Sequence, residues 1–161
     1  MQQKYWNYMV QVKAWIFYLD IYAEHSYKWN NRINMYGAIA SSSSIAAWAI
    51  WREWSYLWAF VIAIAQVLTA IKEYLPFSKR LKLLHPFIDD MKLLYLKMEF
   101  DWYKVAEGEV PESEINKLLF EYKKEYSDIE SKYLKDEMLI ENLDYKEQAD
   151  QRTEYYFANT F

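Results

Sequence analysis

The 161-residue chain contains no cysteine, two glycines, three prolines and two histidines. Without a thiol, disulfides, thiolate metal sites and cysteine nucleophiles are excluded, and the redox compartment leaves no signature. So few glycines and prolines provide little turn chemistry, which favours long helices over a β-rich fold. Two glycines cannot build a phosphate-cradling loop or a dinucleotide fingerprint, and no nucleophile elbow is present. His25 and His85 lack the spacing of a metal motif, and the adjacent Asp89 and Asp90 diverge on a helix. The expectation is an all-α chain that is not an enzyme and holds no cofactor or metal.

What is abundant is aromatic: 20% of residues, 16 of them Tyr, in a chain of net charge −4 and mean hydropathy −0.33. Tyr suits helix faces that are half wet. Two runs free of Lys, Arg, Asp and Glu, Ile33 to Trp51 and Trp54 to Ile71, are separated only by Arg52 and Glu53. As helices each would be roughly 27–28 Å long, close to the hydrocarbon thickness of a bilayer. The link is short, so the two would run antiparallel. The expectation is a two-helix transmembrane hairpin. Trp48, Trp51, Trp54, Tyr56 and Trp58 crowd its tip, and Tyr36 and Tyr74 mark the other end. Lys28, Arg32, Lys72, Lys79, Arg80 and Lys82 flank the open end, placing both termini in the cytoplasm. The same runs fit a buried helical hairpin in a soluble protein complex, because Asn34 and the tract Ser41–Ser44 dilute the first.

Within the first run, Gly37 and Ser41, like Ala40 and Ser44, place small side chains four residues apart, which lets helices approach closely. The four serines sweep about 300° of the helix, so they cannot share one face. Gln66 falls opposite Ala40 and Ser41 in an antiparallel hairpin, and a buried amide needs a partner. Gly37, Ser41, Ser44 and Gln66 are therefore candidates for a pore or helix-packing seam, within one hairpin or between hairpins of a homo-oligomer.

Ahead of the hairpin, Tyr5, Met9, Val12, Ile16, Leu19 and Ala23 form one apolar stripe, and Asn30-Asn31 offers a bend. Behind it, Leu81, Leu84, Ile88, Met91, Tyr95, Met98, Trp102 and Val105 keep three-four spacing across Pro86, the pattern of an oligomer or bundle seam. Gly108 to Pro111 supplies a turn with Pro111 at a first helical position, and Ile115, Leu119, Tyr122, Tyr126, Ile129 and Tyr133 mark a helix that folds back. The end, with Tyr155, Tyr156, Phe157 and Phe161, is a docked last helix or a partner-binding tail. The domain plan is an N-terminal cytoplasmic helix over 1–31, the hairpin over 32–75 and a cytoplasmic helical region over 76–161, together an elongated bundle. From Glu109 to Asp150, 13 acidic residues face six basic ones, so no direct nucleic-acid partner is expected.

The order of these parts, with Leu75-Pro76-Phe77-Ser78-Lys79-Arg80-Leu81, Met98-Glu99-Phe100-Asp101-Trp102 and Gly108-Glu109 before Ile115, resembles the SLATT family of two-transmembrane effectors. The resemblance implies a bacterial antiphage effector that oligomerises in the inner membrane, both termini cytoplasmic, and permeabilises it, causing abortive infection. The implied partners are a neighbouring-gene sensor, a nucleotidyltransferase or a reverse transcriptase. The contrasting expectation is an all-helical scaffold or regulatory subunit.

Overall fold

The computed structural model describes the backbone of all residues except 51–54, 75–76, 136–138 and 140. Side chains are described outside those residues and outside 40–50, 55, 58, 68–69, 71–74 and 77–80. Among the described residues there are five helices and no strand: α1 (Gln2–Ile50), α2 (Ser55–Tyr74), α3 (Phe77–Ala106), α4 (Glu112–Leu134) and α5 (Leu143–Thr160). The chain is all-α. Contacts divide it into two units, Met1–Ala23 with Lys82–Phe161, and Glu24–Leu81.

In the first unit, the stripe Tyr5, Met9, Val12, Ile16 and Leu19 of α1 is buried, as are Leu84, Ile88, Met91, Tyr95, Met98 and Val105 of α3. Polar contacts fix the directions. Gln2 donates to the Val105 carbonyl at 2.7 Å, and Lys92 pairs with Asp20 at 2.9 Å, so these parts of α1 and α3 run antiparallel. α4 returns along α3: the Asp90 carboxylate accepts from Lys132 at 3.0 Å and from Tyr133 at 2.8 Å, while Asp101 accepts from Tyr122. The hydrogen bonds from Lys132 and Tyr133 hold the Asp90 carboxyl below its usual range.

The α3–α4 turn explains one of the two glycines. Glu109 N–H donates to the Lys104 carbonyl and Gly108 N–H to that of Val105, at 3.1 and 3.2 Å. This is a six-to-one helix stop with the penultimate residue left-handed, and Gly108 has φ +76°. A Cβ there would meet nothing within 4 Å, so substitution is opposed by backbone strain alone. Gly108→Ala should cost about 1 kcal/mol, read as a lower urea midpoint at unchanged m-value. Pro111 caps α4 with an extended ψ of 152° and no side-chain hydrogen bond, one position earlier than the expected first helical residue; Glu112 and Glu114 occupy the first turn.

α3 runs unbroken through Pro86, and α1 remains helical through Asn30-Asn31. The C-terminal residues form a docked helix. Asn142 caps α5, its side-chain oxygen accepting from Asp144 and Tyr145 N–H groups, while its own N–H donates to the Tyr18 hydroxyl at 3.0 Å. At the other end Phe157 and Phe161 meet the Trp6 ring at 5.0 and 5.3 Å. α5 therefore runs antiparallel to this part of α1 and gives it a second buried face, Tyr18 and Ile21 against Ala149.

The transmembrane expectation is corrected. Among the described residues no helix is long and apolar enough to cross a membrane. In α1, Asn30, Asn31, Arg32 and Asn34 break the apolar pattern. α2 has 20 residues, but Gln66 lies inside it and Lys72-Glu73 close it, so its apolar part falls short of the roughly 20 residues that a span requires. The inner-membrane placement with both termini cytoplasmic falls with it.

Candidate interaction surface

The second unit carries an exposed apolar surface. On α2, Tyr56, Phe60, Ile64 and Val67 follow steps of four, four and three, which puts them on one helix face. All four are exposed, Tyr56 to 90%, Phe60 to 64% and Val67 to 55%. Leu57 and Val61 extend the face, and Ile62 and Ala65 are half-buried on its other side. A helix apolar on so many sides ordinarily lies inside a larger assembly. On α1, Trp29, Met35, Tyr36 and Ile39 are exposed as well. Arg32 lies over the Trp29 ring at 5.8 Å, and Lys28 pairs with Glu24 at 2.7 Å, so the charges of this segment gather near its start.

Of the proposed seam residues, Gly37 is half-buried on α1, with nothing within 4 Å of an added Cβ. Ser41 and Ser44 lie in α1, and their side chains are outside the described residues. Gln66 is exposed on α2 beside Val67. On the longer seam, Leu81, Leu84, Ile88, Met91, Tyr95, Met98 and Val105 are buried. Trp102 is half-buried, its ring 5.9 Å from Tyr5 and 4.9 Å from Trp6. Trp102 thus packs on α1 of the same chain.

One polar cluster escaped the sequence reading. The Lys13 ammonium sits 3.8 Å from the Tyr156 ring centre, 4.2 Å from Tyr95 and 5.2 Å from Phe17. Tyr156 donates to the Glu99 carboxylate at 2.6 Å. One lysine therefore joins α1, α3 and α5. Burial lowers its pKa, an effect that the nearby Glu99 charge opposes. Four residues separate Lys13 from Phe17 on α1, but Tyr95 and Tyr156 are distant in sequence, so only α1's own half of this cage had a local signal. Among the described residues, no group of His, Cys, Asp and Glu is gathered as for a metal ion.

No family model, curated protein or solved structure matches this chain, so the likeness to the SLATT family rests on the short motifs quoted above.

Proposed function

We propose that the chain is an all-helical scaffold or regulatory subunit whose Glu24–Leu81 unit is buried in a protein complex, with further copies of the chain as its first occupants. The observation that carries this reading is the exposed row Tyr56, Phe60, Ile64 and Val67. Covering Phe60, Ile64 and Val67 would contribute roughly 5 kcal/mol. A face shared by every copy is available for a two-fold contact with itself. The first unit, with its own core and its own polar fastenings, supplies the rigid body that such an assembly would present. The likeness to the SLATT family would give the complex a place in antiphage defence, with a neighbouring-gene sensor, nucleotidyltransferase or reverse transcriptase as the partner that it regulates.

Charge placed on the face provides the test. Phe60→Glu with Val67→Lys should convert an assembled protein into a monomer by sedimentation equilibrium, with the helical circular dichroism signal kept. A wild-type chain that is monomeric throughout the micromolar range, or one that floats with lipid vesicles in a density gradient, would overturn the proposal.

A further inference from the structure

A groove between the start of α1 and the first half of α4 lies within the first unit and takes no part in the apolar surface. Its volume is about 690 Å³, in the range of small-molecule sites. Lys4, Lys117 and Lys123 line it, and no Asp or Glu does. That is notable on an acidic helix. Glu112 is turned to the N-terminal amine at 3.2 Å, and Glu125 to Lys97 on the α3 side. Glu121 approaches Lys117 only at 3.9 Å, and neither Lys4 nor Lys123 has a carboxylate partner among the described residues.

The remaining walls suit the same ligand. Asn7, Gln11 and Asn116 bring carboxamides, and Ser113 brings a hydroxyl. The Asn7 oxygen already accepts from Gln3 at 2.8 Å, which leaves its N–H groups to donate. The Tyr8 ring lies 5.4 Å beneath the Lys123 ammonium, and Phe120 stands 68% exposed at the edge. Several cations and neutral donors, with no carboxylate in the lining and Glu121 only at 3.9 Å from Lys117, match a multiply charged anion, whose hydrogen bonds they strengthen. We propose that this groove binds a phosphate-bearing small molecule, with its phosphate oxygens on Lys4, Lys117 and Lys123.

Calorimetric titration of the full chain with inorganic tripolyphosphate tests the site. The expected result is saturable binding with one site per chain, weakened by added salt. Lys4→Glu and Lys123→Glu should each weaken it about tenfold with helix content unchanged, since loss of one charge-assisted contact is of that order. Lys146→Glu, on α5, should leave it unchanged. Absent saturation, or equal weakening by the Lys146 variant, would overturn the proposal. So would capture of phosphatidylglycerol vesicles through the same lysines without tripolyphosphate binding, because the phosphate would then come from a lipid surface.

Discussion

Between pH 10 and pH 11 the protein should lose roughly 3 kcal/mol of folding stability, through three buried tyrosines. Tyr5, Tyr95 and Tyr122 are 0%, 4% and 6% exposed. Burial is the largest cause raising each phenol above its ordinary value near 10. The carboxylates Asp101, beside Tyr5 and Tyr122, and Glu99, beside Tyr95, push in the same direction. A folded-state pKa raised in this way stabilises the fold fully below pH 10. That stability is lost as pH rises past 10 toward the folded values, because only the unfolded chain can release its protons. Lys13 acts oppositely, its lowered pKa adding stability as pH rises, but that gain is complete near pH 10.5, where an unfolded lysine also titrates. The half-buried Tyr8 and Tyr126, both pushed up to about 12, strengthen the loss. Urea midpoints taken between pH 8 and 11 should fall steeply only above 10, with tyrosinate absorbance and helix loss rising together. Tyrosines titrating independently near pH 10 in a chain that stays helical would contradict this.

Tyr156→Ala should release α5 from the rest of the first unit at a cost of about 3 kcal/mol, a value set by truncation of a half-buried aromatic ring. The bond to Glu99, the roof over Lys13, and the edge contacts to Phe17, Tyr95 and Phe157 at 6.1, 6.2 and 5.4 Å leave with the ring. Removing the roof also exposes the Lys13 ammonium to water, which recovers part of the loss. Tyr156→Phe keeps the ring and loses the hydroxyl, so its cost should be nearer 1.5 kcal/mol, the value of a hydrogen bond to a charged group. Hydrogen exchange gives the local reading. Amides of α5 should lose protection in Tyr156→Ala well before those of α3, and equal protection in the two helices would show that α5 is held by other contacts.

Helix by helix, what the sequence reveals depends on how local the cause is. The stripe from Tyr5 to Ala23, the row from Leu81 to Val105 and the face Ile115, Leu119, Tyr122, Tyr126, Ile129 and Tyr133 are set by spacing within one helix, and all of these are buried except Trp102, Tyr126 and Tyr133, which are half-buried. The second buried face of α1, Tyr18 and Ile21, depends on α5 arriving from the far end of the chain. No periodicity in α1 announces it. The same holds for Lys13, which is an ordinary polar position until Tyr95 and Tyr156 close over it. The apolar phase slips beyond Asp136, with Met138, Leu139, Ile140 and Leu143 densely clustered, which points to a kink or a new helix there; α5 begins at Leu143 behind its cap Asn142. The charge-free runs show the limit most clearly. Absence of charge signals that a helix is to be covered, but not by what. Gln66, Lys72 and Glu73 decide against a span in α2 because they shorten its apolar part, whereas counting uncharged residues alone suggested one.

The central claim, that protein covers the α2 face, is tested most directly by thiol protection, for which the absence of native cysteine is an advantage. Single cysteines would be placed at Val67, on the apolar row, and at Glu154, on the exposed side of α5. Maleimide labelling rates would then be compared in the full-length chain without detergent. The account predicts that Val67→Cys reacts at least about tenfold more slowly than Glu154→Cys at micromolar concentration, with the difference vanishing on dilution as the assembly dissociates. Equal rates at every concentration, or protection that appears only when lipid vesicles are added, would contradict it.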